Sequence, residues 1–278
     1  MSGVRVIVLG TVQDGGVPHP CCACPRCEAA RRDPTHRRLP ACIAVVGESG
    51  RILVVDATPA YGEQLALLGR VLGSSPVCPD ELVITHAHIG HYLGLAFLGK
   101  EAIHARGLPV HGTPSFLRFV QQNRPWSHLV ERGEIELRTI APGSPHAFDG
   151  VVVHAFLSPH RGEDTDTLGF EIVGPRRRLV YVSDADVLPA EIIERVHDAD
   201  VSLVDGTFFS PAELPHRDIL AVKHPFVRDS VDRLRGGRGR VYFTHLNHTN
   251  PLLDPTSPEA GSLPPGFAVA VEGQTFEL

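Results

Sequence analysis

Six apolar runs in this chain end in residues that hold metals or move protons: RILVVDA, ELVITHAH, VVVHAFLSPH, RLVYVSDAD, VSLVDG and RVYFTHLNH. Alternate side chains of a strand point to opposite sides, so a strand that is Val-, Ile- and Leu-rich along its whole length is covered on both faces. Strands of that kind, all finishing in polar groups, line one edge of a buried sheet with chemistry. VRVIVLG, a hairpin of ACIAVVG and RILVVDA joined by ESG, and LPVHG complete the strands of the first half. The second half restarts with IELRTIA and carries a hairpin of GFEIVG and RLVYVSDAD around the basic turn GPRRR. Helical periodicity marks EQLALLGRVLG, HYLGLAFLG, SFLRFVQQNRPW, EIIERVH and RDSVDRL. Strands covered by helix on one side and by a second sheet on the other satisfy this pattern, which predicts an α/β four-layer αββα sandwich. The apolar pattern alone also permits a doubly wound single sheet. No low-complexity linker interrupts the chain, so one domain is expected over residues 1–278.

A formal charge of -6 argues against a nucleic-acid partner, because phosphate-backbone binding leaves a basic footprint. The expected partner is a small-molecule or modified-peptide substrate, with a homodimer allowed. MSGVRVIVLG enters a strand without a basic, apolar, small-residue leader pattern, and no apolar run reaches membrane-spanning length. The expected compartment is the cytoplasm. There, the close-set Cys21, Cys22, Cys24 and Cys27 read as metal binding before they read as disulfides. Cys42 and Cys78 sit among apolar neighbours and are expected to be packing residues.

The stretch ITHAHIGHYLGL carries the sharpest signal. His86 and His88 share one side of an extended segment, and His91 falls on the turn that opens a helix. Such a segment supplies two ligands to one metal and a third to its neighbour. His160 in LSPHRGED, Asp184 in YVSDAD and His245 in YFTHLNH offer compatible groups at other strand ends. Imidazoles with a carboxylate suit zinc, iron or manganese, and an open coordination position activates water. With 16 histidines in the chain some clustering arises by chance, yet HxHxxH at the end of an apolar strand is uncommon.

THAHIGH followed by SPH, SDAD and THLNH resembles the metallo-β-lactamase superfamily. Within it, VLGTVQDGGVPHPCCACPRC, AHIGHYLGL and HTNPLLDPTSPE are similar to the B proteins of pyrroloquinoline-quinone biosynthesis and to the phosphodiesterases of phosphonate-degradation operons. The resemblance implies that His86, His88 and His160 hold a first metal, that Asp184 bridges, and that His91 and His245 hold a second. Gly90 stands where the family has an aspartate that ligates the second metal. The second site is therefore expected to be weakened, and Gly90→Asp to raise the metal count by about one per chain.

Cys22, Cys24 and Cys27 form CxCxxC in a loop (about 11–30) rich in Gly and Pro, and the resemblance supplies His248 as a fourth ligand. Three thiolates and an imidazole make a closed structural zinc site, with Cys21 able to replace Cys22. His224 matches a histidine that related phosphodiesterases and nucleases place near the substrate, where it donates a proton; a polar helix-start residue is the competing reading. Asp56 and Asp205 end apolar strands and are expected to orient metal-bound histidines. Phe208 and Phe209 of GTFFSPAELPH are pocket candidates, with at least one ring in the core.

Three functions compete. One is a metal-dependent hydrolase of a phosphodiester or ester-type small substrate, with Asp184 orienting the water. Another is an iron-dependent oxygenase in quinone-cofactor or peptide-derived metabolite biosynthesis. The last is a non-catalytic carrier with a vestigial centre, against which the retention of His86, His88, His160, Asp184 and His245 argues.

Overall fold

The structure is a computed structural model that describes residues 3–214, 218 and 222–278. Two seven-stranded mixed sheets face one another. The first has β14 (Thr275–Glu277) at one edge, followed by β1 (Arg5–Gly10), β2 (Cys42–Val46), β3 (Ile52–Val55), β4 (Glu81–Val83), β5 (Leu108–Gly112) and β6 (Ile135–Thr139). The second runs from β13 (Phe267–Val269) through β12 (Arg240–Thr244), β11 (Val201–Asp205), β10 (Arg178–Val182), β9 (Thr167–Val173) and β8 (Val151–Ser158) to β7 (Pro145–Phe148).

Alternation explains why the strands read as unbroken apolar runs. On β1, Val6 and Val8 enter the core between the sheets, whereas Ile7 and Leu9 face the outer helices. On β10, Leu179 and Tyr181 face the other sheet, and Val180 and Val182 face outward. The outer cover of the first sheet includes Tyr61 and Leu68 of α2 (Tyr61–Leu72) and Phe116 and Val120 of α4 (Pro114–Gln122). Ile192 and Val196 of α6 (Ala190–Asp198) cover the second sheet, together with Val227, Val231 and Leu234 of α7 (Val227–Leu234). Each layer thus buries an apolar face on the next, which is the αββα sandwich that the pattern predicts.

Both expected hairpins form, β2 with β3 and β9 with β10. HYLGLAFLG begins within the single turn α3 (Ile89–Tyr92) and continues as a tighter helical segment over Leu93–Leu98. Cys42 is buried as expected, but Cys78 is exposed, because it lies in the loop beyond α2 rather than in a strand. Among the described residues no helix is long and apolar enough to cross a membrane.

Parallel pairing aligns β3 with β4 and β10 with β11 and β12, so their carboxyl ends open at common edges. Asp56, Asp205 and His245 lie at those ends, with His86 and Asp184 in the loops just beyond.

Candidate metal centre

Two strand ends turn sharply where their side chains must be aimed. Asp56, after β3, has φ 73°, and His245, after β12, has φ 58°. Left-handed backbone costs a non-glycine residue about 1 kcal/mol or more and persists where its surroundings over-determine it. The Asp56 carboxylate accepts the Thr85 N–H at 2.8 Å and its hydroxyl at 2.9 Å, and lies 2.7 Å from His91 Nδ1. His88 directly precedes α3 and His91 lies in it, so one turn presents both rings.

The donor atoms of His86, His88 and His160 lie within 4.8 Å of one another. Asp184 lies between this group and the other two histidines: its carboxylate oxygens are 3.3 Å from His245 Nε2, 3.4 Å from His91 Nε2 and 3.6 Å from His160 Nε2. His86 Nε2, His245 Nε2 and Asp184 Oδ2 are buried without a hydrogen-bond partner. Buried polar atoms are ordinarily satisfied. Orphaned lone pairs of this identity, converging from separate strand ends, could hold a metal cation.

The opposite ring nitrogens are tied down. His86 Nδ1 meets the Thr85 hydroxyl at 2.9 Å, His91 Nδ1 meets Asp56, and His160 Nδ1 meets Asp186 at 3.0 Å. Such partners fix the tautomer and aim of a metal-ligating imidazole. Burial lowers the pKa of His86 and brings that of His160 to about 4, which leaves their lone pairs free. At His91 burial is outweighed by Asp56 and Asp184, and the pKa rises. At Asp184 burial is outweighed by His245, His91, His86 and His160, which hold the carboxyl well below its usual range. Carboxylates that favour an imidazolium at one ring favour a metal cation in the same place.

Two expectations change. Asp205, expected behind one of the ligating histidines, has His224 as its imidazole partner, 2.7 Å from Nδ1, and accepts the Ala185 and Thr207 backbone N–H groups. A strand end fixes the height of a side chain but not its partner. His224 precedes α7 by three residues and stands beside the centre, its ring 5.2 Å from that of His160 and 5.8 Å from that of His245. The second change concerns Gly90. Its absent side chain leaves no gap, because the Asp14 carboxylate occupies the place, with Oδ1 3.6 Å from His91 Nε2 and 3.7 Å from His245 Nε2. No spacing rule pointed to Asp14, which lies in the VQDGG loop far along the chain from these histidines.

Beside the centre, Cys22, Cys24 and Cys27 place their sulfurs 3.7, 3.8 and 3.8 Å from His248 Nδ1. Zinc with bonds of about 2.3 Å to sulfur and 2.0 Å to nitrogen requires tetrahedral edges of about 3.6 Å. Backbone N–H groups of His19, Cys24 and Cys27 point at the sulfurs of Cys27, Cys22 and Cys24 respectively, which supports thiolates. Cys21 is exposed and outside the group.

A cavity of about 540 Å³ has His248 of the cysteine corner in its wall together with Arg161, Phe208, Glu213, Asp218, Lys223 and His224, the last standing beside the histidine centre. Phe208 thus faces the cavity, whereas Phe209 packs with the apolar cluster beneath α7. Residues 215–216, which end the pocket-candidate stretch, lie outside the described residues.

Comparison with known proteins agrees with this geometry. The Beta-lactamase superfamily domain matches residues 51–246. The chain is 26% identical over 308 residues to Coenzyme PQQ synthesis protein B of Xanthomonas axonopodis pv. citri, covering 99% of this chain and 100% of that one. It is 28% identical over 316 residues to the protein of the same name from Cupriavidus necator, covering both in full. Zinc-bound PqqB from Methylobacterium extorquens superposes with a TM-score of 0.84 at 23% identity, over 99% of this chain and 100% of that one. A diphosphatase of the PhnP family superposes with a TM-score of 0.75 at 23% identity, over 100% of this chain and 98% of that one. The chain belongs to the β-lactamase superfamily and has the metallo-β-lactamase fold.

Proposed function

We propose that this protein is a metal-dependent hydrolase that cleaves a phosphodiester or related ester bond in a small substrate. The observation that carries the reading is the convergence of buried, unpartnered His86 Nε2, His245 Nε2 and Asp184 Oδ2 near a cavity whose wall carries Arg161 and Lys223 along with Glu213 and Asp218. His86, His88 and His160 would hold one zinc, iron or manganese ion, and His91 and His245 a second, with Asp184 between them. A metal in such a site lowers the pKa of bound water and polarises the phosphoryl oxygen.

The chain's own groups do the rest. Asp184 accepts a hydrogen bond from the attacking water and aims it. Arg161 and Lys223 neutralise the anionic substrate, as charge-assisted donors to phosphate oxygens. His224, with Nδ1 held by Asp205, presents Nε2 and delivers a proton to the departing oxygen. Phe208 gives one wall of the cavity an apolar face for the leaving group.

Turnover of bis(4-nitrophenyl) phosphate with added manganese tests the reading. The expected result is hydrolysis that falls about 10³-fold or more in His86→Ala; a rate no higher than that of the variant would refute it.

The full-length likeness to PQQ synthesis proteins favours a second reading, an iron-dependent oxygenase acting on a peptide-derived precursor. The same imidazoles and carboxylate suit iron. Oxygen consumption dependent on bound iron, without phosphoester hydrolysis, would select it.

A further inference from the structure

An ideal Cβ built on Gly90 would lie 2.2 Å from Asp14 Oδ1, 2.3 Å from Cγ and 2.6 Å from Cβ. The overlap reaches the root of the Asp14 side chain, so a rotamer change of its tip does not relieve it. Residue 90 must be glycine while Asp14 stands where it does. The superfamily residue lost from one segment and the carboxylate gained from another therefore compete for one volume.

That volume faces the incomplete half of the centre. Asp14, His91 and His245 bring their donor atoms within 4.8 Å of one another, and Asp184 reaches the same two imidazoles. His245 is buried, with Nε2 unpartnered and aimed at the gap between the two carboxylates.

Asp14 is also fixed to the strand end that bears His245. Val12 forms parallel bridges with Leu246 and Pro40. The Gln13 N–H donates to the Leu246 carbonyl at 3.0 Å, and the Leu246 N–H donates to the Thr11 carbonyl at 3.0 Å. The Gly16 N–H closes the turn on the Gln13 carbonyl at 2.8 Å. The loop that presents Asp14 and the loop that presents His245 are thus stitched together, which pre-organises a site made from distant parts of the chain.

We propose that Asp14 is the carboxylate ligand of the second metal position, completing a set with His91, His245 and the shared Asp184. The second site is relocated in sequence and complete in space. The proposal rests on the reading of the centre as metal-binding, and it makes Gly90 the glycine that admits Asp14.

Metal counting on the intact protein separates the two. Chelator-treated chain is reloaded with zinc or manganese, the ions per chain are counted, and the weaker ion's affinity is titrated with manganese. The wild type is expected to hold two ions beyond the cysteine site. Asp14→Ala should lose about one ion, or weaken it tenfold or more, and Asp14→Asn should weaken it while preserving shape. Gly90→Asp alone should add no ion, whereas Asp14→Ala combined with Gly90→Asp should recover the lost one. Circular dichroism and the thermal midpoint identify any variant that fails to fold, and Asp14→Asn keeps the test open in that event. Unchanged count and affinity in Asp14→Asn, one ion only in the wild type, or a gain from Gly90→Asp alone would each overturn the assignment to Asp14. No ion beyond the cysteine site in the wild type would instead overturn the metal-centre reading on which it rests.

Discussion

The histidine centre and the cysteine corner lie near one cavity, which meets the corner at His248 and the centre's neighbour at His224, yet they are built in opposite ways. The corner takes three of its four donors from the local stretch Cys22–Cys27, and backbone N–H groups steady its sulfurs. The centre collects its donors from strand ends of both sheets, and carboxylates behind the rings steady them, Asp56 at His91 and Asp186 at His160. A closed tetrahedral site needs only a short loop and one visitor, His248. An open site that must face a cavity requires the whole sandwich to assemble it. The corner should therefore contribute to stability and the centre to chemistry.

The largest effects test that division. Cys24→Ser is expected to lose one zinc per chain and a few kcal/mol of stability, lowering the thermal midpoint by roughly 10 °C. His86→Ala is expected to remove turnover while leaving the zinc of the cysteine corner in place, and the cavity left by a buried ring lowers its midpoint equally with and without metal at the centre. Calorimetry on both variants, with metals counted, decides. If stripping the centre's metal from the wild type lowers the midpoint as much as Cys24→Ser does, the two sites do not differ in kind.

A smaller effect sharpens the comparison inside the centre. Asp205 holds His224, whose pKa rises because that carboxylate outweighs burial. His224 is not among the residues proposed to hold a metal, so His224→Ala should cut kcat about 10²-fold with the metal count unchanged. Asp205→Asn should follow it in the same direction, because the imidazole loses its anionic partner. A drop in metal content in His224→Ala would place this ring among the ligands instead.

How far such roles can be read from sequence depends on how local their determinants are. The Val- and Ile-rich strands, the HxHxxH turn and the polar ends bearing His160, Asp184 and His245 follow from alternation and spacing, and the structure brings those residues together. The short edge strands β7, β13 and β14 carry too few residues to show a period. β14 also pairs with β1 at the other end of the chain, a partnership without local signature. Asp14 stayed hidden for the same reason. Its meaning depends on a volume left at Gly90 by a distant helix turn, and the sequence displays the missing aspartate but not the substitute. Asp205 was legible as a strand-end carboxylate, while its partner His224 required the fold.

The smallest expected effect contrasts the centre's carboxylates with one that has no imidazole beside it. Glu272, in the turn between β13 and β14, accepts the Leu39 N–H, and burial pushes its pKa up to about 7. Asp184 is at least as buried, yet its ring of histidines holds it ionised. A carboxyl whose pKa is raised by folding binds its proton more tightly in the native state, so its ionisation opposes folding. Its contribution is most favourable below the unfolded value near 4.5, declines as pH rises towards 7, and is constant above that. Glu272→Gln keeps an acceptor for Leu39 and removes the charge. Urea unfolding should therefore find the variant and the wild type alike near pH 4.5, and the variant more stable by about 1–2 kcal/mol at pH 8 once residual solvent screening is discounted. A variant less stable at pH 8 would mean that the bond from Leu39 to the anion outweighs desolvation. Glu272 would then resemble the carboxylates of the centre, where partners rather than burial decide the charge.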